Sequence, residues 1–188
     1  MIRSLALAAA LTFAMGAAHA STETNAWTQL PNVAPAEDSE ASPAIPREIV
    51  PFAGTFAKGT IVVNTEERRL YLVLGDGTAM RYGIGVGRPG FEWRGEHKIS
   101  AMREWPDWRP PAAMLKRRPD LPRHMAGGEE NPLGARAMYL GSSIYRIHGS
   151  NEPDSIGEAV SSGCIRMLNE DVIDLYSRVK VGSRVVVH

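Results

Sequence analysis

The sequence predicts a mainly β domain with one short helix and one long loop, on the basis of three observations. Short segments of branched apolar residues recur after residue 58 and are separated by glycine-containing turns. Residues 80–87 alternate apolar side chains with arginine and glycine, which is typical of a strand with one buried face. Only residues 169–180 show clear helical periodicity.

The strands are expected in chain order at residues 60–64, 69–74, 80–86, 136–140, 144–148 and 184–187. Gly75, Asp76 and Gly77 form a turn signal between the second and third of these strands. The glycine face of the third strand leaves its backbone open to close approach by another chain segment or a ligand.

The helix is expected to begin at Asn169, whose side chain is a favourable N-cap. Acidic residues follow at its positive end and basic residues lie at its negative end. The apolar stripe has helical spacing and consists of Val172, Leu175, Tyr176 and Val179. Gly182 is expected to close the helix.

The first 20 residues have the features of a secretory signal peptide. Arg3 precedes an apolar run, and the segment ends in the small-residue pattern Ala18-His19-Ala20. The apolar run is shorter than the ~20 residues that span a bilayer, so we expect cleavage after Ala20 and no transmembrane segment in the mature chain. The expected location is the periplasm or cell envelope.

Residues 21–50 are predicted to be a disordered Pro/Ala-rich linker, because they contain four prolines and few clustered apolar residues. Residues 51–188 then form one domain of ordinary size. The 188-residue chain has 21 basic and 21 acidic residues. This balance gives no indication of a nucleic-acid partner.

Cys164 is the only cysteine of the chain, which is unusual for a protein that carries an export signal. A lone thiol in an oxidising compartment is either packed in a core or chemically active. Gly163 permits close backbone approach, and the small side chains of Ser161 and Ser162 leave room for a substrate. These neighbours favour an active thiol over a packed one.

His148 is the candidate base for this thiol. It ends a predicted strand and precedes a turn, so a returning loop could bring Cys164 to the adjacent strand end. A nearby imidazole would take the thiol proton and lower the pKa of the thiol. The spacing alone also permits a purely structural histidine.

The segments 148–151 (HGSN) and 161–167 (SSGCIRM), followed by Asn169 and Asp171, closely resemble the active-site signature of the L,D-transpeptidase catalytic domain. The resemblance covers about residues 58–188. It departs from the commoner pattern at Ser162, where many members of the family have a second histidine.

The resemblance implies a β-sandwich-like domain that acts on the stem peptides of bacterial peptidoglycan. Cys164 would attack the carbonyl of the third stem residue and release D-alanine, with His148 as base and then acid. Backbone N–H groups near Gly163 and Cys164 would hold the oxyanion. In the family, the serine matching Ser161 helps to orient the histidine. The acyl group would pass to an amine of another stem or of an envelope protein.

The candidate substrate-binding residues are Arg166, Ser162, Asn151 and Trp108. Arg166 could pair with a substrate carboxylate or form a surface ion pair. Residues 93–134 are long for a connection, and their basic and aromatic side chains suggest a lid over the site, although a loop that only covers a core edge is the alternative.

Two further function classes remain open. Hydrolysis of the same acyl-enzyme would make the protein an L,D-carboxypeptidase, and a noncatalytic wall-binding protein would not need both Cys164 and His148. A thiol redox or metal-binding protein is disfavoured, because the chain has neither a C-x-x-C motif nor a ligand cluster. No metal or cofactor is expected.

Overall fold

The computed structural model describes residues 45–188; the predicted signal peptide and most of the predicted linker lie outside the described residues. This part of the chain forms eleven strands, two α-helices and one short 3₁₀ helix, Pro153–Ser155. The strands are β1 (Glu48–Pro51), β2 (Ile61–Asn64), β3 (Arg69–Val73), β4 (Thr78–Gly83), β5 (Val86–Gly87), β6 (Gly95–Glu104), β7 (Arg136–Leu140), β8 (Arg146–His148), β9 (Ala159–Ser161), β10 (Ile165–Arg166) and β11 (Arg184–Val187). The α-helices are α1 (Ala112–Arg117) and α2 (Asn169–Arg178). The predicted mainly β class is confirmed.

Nine of these strands form one sheet in the order β1-β4-β3-β2-β11-β6-β7-β8-β10. Strand β6 joins its two halves, pairing with β11 on one side and β7 on the other, and its register shifts between Ile99 and Ala101. One buried cluster collects side chains from both halves and from α2, including Ile61, Leu70, Met138, Ile147 and Leu175. The sheet therefore closes over a shared core in a β-sandwich-like arrangement.

The predicted linker of residues 21–50 extends too far, because its last residues form strand β1. This strand pairs antiparallel with β4, with Ile49 opposite Met80. Arg47 just before it bonds to Asp171 of α2 at 3.3 Å. Strand β3 pairs with one edge of β4, and the other edge offers backbone hydrogen-bond partners to the exposed strand β1. Composition alone cannot indicate such pairing. The ordered domain thus begins before residue 51.

The predicted long loop of residues 93–134 is also too long, because Gly95–Glu104 form β6. Only Ile99 is buried among these ten residues, so the alternation that reveals a half-buried strand is absent. The connection that remains runs over residues 105–135 and contains the short helix α1. We refer to residues 105–135 as the lid.

Helix α2 forms where it was predicted, but Asn169 does not cap it. The N-cap position is Leu168, and among residues 45–188 no side chain caps the backbone N–H groups of the first turn. Asn169 Oδ1 instead accepts from the backbone N–H of Ala135 at 2.9 Å, and Asn169 Nδ2 donates to the carbonyl of Ser150 at 3.0 Å. The side chain thus ties α2 to the segment after β8.

Within residues 45–188, no helix is long and apolar enough to cross a membrane.

Candidate active site

Strands β8 and β10 bring the predicted nucleophile and base together at the edge of the sheet. They pair in parallel, with Arg166 opposite His148. Extending this register by two residues places Cys164 level with Arg146. Because side chains alternate along a strand, Cys164 and Arg166 share one face with Arg146 and His148. All four residues line the same cavity.

This active-site cavity has a volume of about 370 Å³ and lies between the sheet edge and the lid. The lid contributes Trp108, Met114 and Leu121 to its wall. The structure places all four candidate substrate-binding residues in the lining, namely Trp108, Asn151, Ser162 and Arg166. Its wall is therefore partly apolar and partly charged.

The turn before Cys164 is held by the hydroxyl of Ser161. Ser161 Oγ accepts from the backbone N–H of Gly163 at 3.1 Å and donates to the carbonyl of Cys164 at 2.6 Å. Gly163 has a φ of +103°, and a Cβ there would lie 2.6 Å from the Tyr145 ring. Both the backbone conformation and the close contact require glycine at this position.

Two predicted roles change with this geometry. Ser161 was expected to orient His148, but within residues 45–188 its hydroxyl bonds only to the nucleophile turn. The Gly163 N–H was expected to hold an oxyanion, but Ser161 already uses it. The backbone N–H of Cys164 has no acceptor among the described residues. It is therefore the amide of this turn that is free to bind an oxyanion.

His148 is only 4% exposed and has a fixed orientation. Its Nδ1 lies 2.6 Å from the carbonyl oxygen of Gly149. Because a carbonyl only accepts hydrogen bonds, this contact assigns the ring proton to Nδ1 and leaves a lone pair on Nε2. Burial lowers the pKa of His148 to about 3, so the imidazole is neutral near pH 7.

The pKa of the Cys164 thiol is raised by burial, whereas the nearby Arg146 charge acts to lower it. The expected lowering of the thiol pKa by the imidazole is not what the structure shows, because desolvation raises the pKa of the thiol and His148 is neutral. The resting site thus holds a neutral thiol and a neutral imidazole in the wall of the same cavity. His148 can therefore act as a base only during attack.

The sequence reasoning missed Arg146, which lines the cavity and whose charge acts to lower the pKa of the thiol. Its guanidinium lies 5.2 Å from the centre of the Tyr139 ring, and no carboxylate pairs with it among residues 45–188. Arg166, in contrast, bonds to Glu152 at 2.7 Å, so one predicted alternative, an ion pair, is realised at the cavity wall. Arg146 lies two residues before His148 on the same strand, so the two side chains share a face. This spacing could have identified Arg146 from the sequence.

The lid is braced from within. Asn131 is 1% exposed, and its Nδ2 donates to the carbonyls of Ala126 at 2.9 Å and Pro106 at 3.1 Å. Trp108 and Met125 exchange a pair of backbone hydrogen bonds across the loop. The lid is thus a structured wall of the cavity.

Among residues 45–188, no group of three His, Cys, Asp or Glu side chains could hold a metal ion.

A partly buried cysteine just before β10 and a buried histidine at the end of the parallel strand β8 line one cavity next to a braced lid and define the candidate site of this β domain. Residues 58–187 match the model of the YkuD family, the L,D-transpeptidase catalytic domain. The chain belongs to this L,D-transpeptidase family.

Curated relatives agree with this assignment. The chain is 37% identical over 150 residues to the probable L,D-transpeptidase ErfK/SrfK of Escherichia coli K12, which covers 75% of this chain and 47% of that protein. It is 34% identical over 149 residues to the probable L,D-transpeptidase YbiS of the same strain, with the same coverage. The chain spans about half the length of these relatives.

Solved structures show the same fold. An L,D-transpeptidase from Mycobacterium smegmatis covers 70% of this chain and 59% of its own, with a TM-score of 0.57 and 18% identity. The catalytic domain of the Enterococcus faecium enzyme, acylated by ertapenem, covers 72% of this chain and 100% of its own at a TM-score of 0.55 and 18% identity. A Brucella melitensis chain described as a probable carnitine operon oxidoreductase is 47% identical over 78% of this chain and 95% of its own, with a TM-score of 0.53.

Proposed function

We propose that this protein is a peptidoglycan L,D-transpeptidase that works through an acyl-enzyme on Cys164. The observation that carries the proposal is the parallel register of β8 and β10, which puts His148 and Cys164 on one face of the cavity. Family membership supplies the substrate class, a stem tetrapeptide of peptidoglycan. The predicted signal peptide supports a site of action in the periplasm or cell envelope.

In the first step, Cys164 Sγ attacks the carbonyl carbon of the third stem residue while His148 Nε2 takes the thiol proton. The carbonyl oxygen becomes an oxyanion, which the Cys164 N–H is placed to bind. When the intermediate collapses, the C–N bond to D-alanine breaks and His148 returns the proton to the leaving amine. The product is a thioester on Cys164.

In the second step, an acceptor amine attacks the thioester, and His148 takes a proton from that amine. A new C–N bond forms, the C–S bond breaks, and the thiol regains its proton. Water could replace the amine, and the protein would then act as an L,D-carboxypeptidase. The acceptor amine would come from a second stem peptide or from an envelope protein.

The oxidoreductase description of the Brucella chain is not carried over to this protein. A dithiol redox reaction needs a second thiol, and Cys164 is the only cysteine of the sequence. The surroundings of Cys164 also suit acyl transfer, because they combine a fixed base with a backbone N–H that has no acceptor within residues 45–188.

The test is incubation of the domain with a defined disaccharide-tetrapeptide and mass analysis of the products. We expect release of D-alanine together with a cross-linked dimer, and neither product from Cys164→Ala. Tripeptide without dimer would assign the carboxypeptidase activity. An unchanged tetrapeptide, from a protein whose Cys164 still reacts with iodoacetamide, would contradict the proposal.

A further inference from the structure

A tryptophan lies behind the nucleophile turn and bonds directly to it. Trp93 Nε1 donates a hydrogen bond to the carbonyl oxygen of Gly163 at 2.7 Å. Trp93 and Gly163 both line a second cavity of about 360 Å³, which we call the rear cavity and which is bounded also by Arg68 and Val86. Cys164 lines the active-site cavity and does not line the rear cavity. The turn therefore separates the two cavities.

The Gly163 carbonyl and the Cys164 N–H belong to the same peptide unit. A trans peptide is planar, and its C=O and N–H point in opposite directions. Trp93 holds the carbonyl on the rear side, so the Cys164 N–H points away from Trp93, toward the side of the active-site cavity. This is the N–H that has no acceptor among residues 45–188.

The indole donor is itself held in place by aromatic packing. Its ring is stacked on Tyr145, with centroids 4.3 Å apart and planes inclined by 3°. The ring of His97 approaches edge-on at a centroid distance of 5.4 Å. Stacked and edge-to-face contacts restrict rotation of the indole. The same Tyr145 ring contacts Gly163, so ring and turn are packed as one unit.

We propose that Trp93 is a positioning residue for the acylation step, acting through the Gly163–Cys164 peptide. Its indole N–H fixes the peptide plane so that the Cys164 N–H is aimed at the developing oxyanion. The inference rests on the proposed function, because only a reaction that forms an oxyanion uses this amide. Loss of the indole N–H frees the plane to rotate while leaving Cys164 and His148 in place.

Two reactions of the same thiol separate this role from a structural one. Acylation by ertapenem proceeds through an oxyanion, whereas alkylation by iodoacetamide is a displacement at carbon that forms none. Removing one oxyanion donor costs ~10²–10³ in rate in other enzymes, and for Trp93→Phe, which misaligns a donor, we expect acylation to slow about tenfold or more. Alkylation should stay within about twofold of wild type, since Trp93 does not line the active-site cavity.

Trp105→Phe is the matched control, because Trp105 is 43% exposed and lies outside the lining of the active-site cavity. Should Trp93→Phe fail to fold, β-(3-benzothienyl)alanine at position 93 replaces the N–H by sulfur and keeps the stacked ring. An unchanged acylation rate in Trp93→Phe or in the protein with the benzothienyl analogue would overturn the role of Trp93. A parallel loss of acylation and alkylation would also overturn it. A wild-type protein that is alkylated but never acylated would overturn the proposed function itself.

Discussion

At the scale of single residues, the proposed chemistry uses two neutral groups that line the same cavity. Burial lowers the pKa of His148 and raises the pKa of Cys164, so neither group is charged near neutral pH. The imidazole is oriented by the carbonyl of Gly149 rather than by a carboxylate. Such a pair contains no thiolate at rest, and the proton passes from the thiol to the imidazole only when the thiol attacks the substrate.

This arrangement predicts a broad pH profile for acylation of Cys164. The reactive form needs a neutral imidazole, which persists down to the His148 pKa of about 3, and a protonated thiol, which persists to high pH because burial raises its pKa. We expect the ertapenem acylation rate to vary little between about pH 5 and 8. Stopped-flow or mass measurements at each pH would record it.

His148→Ala should slow acylation by about a hundredfold at pH 7, because a positioned base contributes ~10²–10⁴ in rate. The remaining rate should rise with pH, since the variant can use only the thiolate. A wild-type acid limb centred near the ordinary histidine pKa would contradict the neutral-pair account. So would a variant whose profile matches that of wild type.

Arg146 should stabilise the thiolate of Cys164. Its guanidinium acts to lower the pKa of the thiol. Arg146→Met should therefore move the pH profile of iodoacetamide alkylation to higher pH, and Arg146→Lys should restore part of the shift. Arg103→Met is the control, because Arg103 is exposed and bonds to the carbonyl of its neighbour Met102.

The outcomes for Arg146 discriminate between two roles. A pH profile of alkylation that shifts in Arg146→Met, together with a small change in the KM for the tetrapeptide, supports the thiolate role. A raised KM for the tetrapeptide with an unchanged alkylation profile would show that Arg146 binds a substrate carboxylate instead.

Sequence reasoning proposed Cys164 and His148 because their residue types and spacing resemble a known signature, and the structure places both in the lining of one cavity. It could not identify Trp93 or the carbonyl of Gly149, because both act through the backbone. A bond to a carbonyl leaves no pattern of residue types in the chain. The changed role of Ser161 has the same origin, since its hydroxyl bonds to main-chain groups of Gly163 and Cys164.

At the scale of elements, the lid depends on one buried amide. Asn131 Nδ2 donates to lid carbonyls, while Asn131 Oδ1 accepts from the N–H of Leu133 at 2.9 Å. Asn131→Asp keeps the acceptor but turns the donors into a second acceptor facing carbonyl oxygens. Because buried polar groups without partners cost ~1–3 kcal/mol, we expect a loss of stability of that order in chemical denaturation, and a raised KM.

Asn64→Asp is the matched control for the lid. Asn64 Oδ1 accepts from the N–H groups of Glu66 and Glu67 at 3.1 Å, and within residues 45–188 its side chain makes no other hydrogen bond. An aspartate preserves both contacts, so the change in stability should stay near ~0.5 kcal/mol. Equal effects of the two substitutions would show that the donors of Asn131 do not brace the lid.

The elements that could be predicted are those with a buried face. Strands β7 and β11 form at the expected residues, and α2 begins at Asn169, as expected from the residues that flank its apolar stripe. Strands β1 and β6 could not be predicted, because their side chains are mostly exposed. Their stability comes from backbone pairing with neighbours distant in sequence, which no local pattern encodes.

At the scale of the whole molecule, the site exists because the chain returns to its own sheet edge. The segment after His148 leaves β8, passes through β9 and comes back as β10 in parallel. Parallel neighbours need such a crossover, and its length places Cys164 within reach of β8. The sequence spacing suggested that Cys164 and His148 lie near each other. The register between β8 and β10, which puts both side chains on one face, can be determined only from the assembled sheet.

The central claim is that Cys164 carries the acyl group of the third stem residue. Its most direct test is the intact mass of the protein quenched in acid during turnover of a disaccharide-tetrapeptide, followed by peptide mapping. We predict an adduct equal to the substrate minus D-alanine on the peptide that contains Cys164, and no adduct on Cys164→Ala. Turnover without any adduct in wild type, or an adduct that persists in Cys164→Ala, would contradict the account.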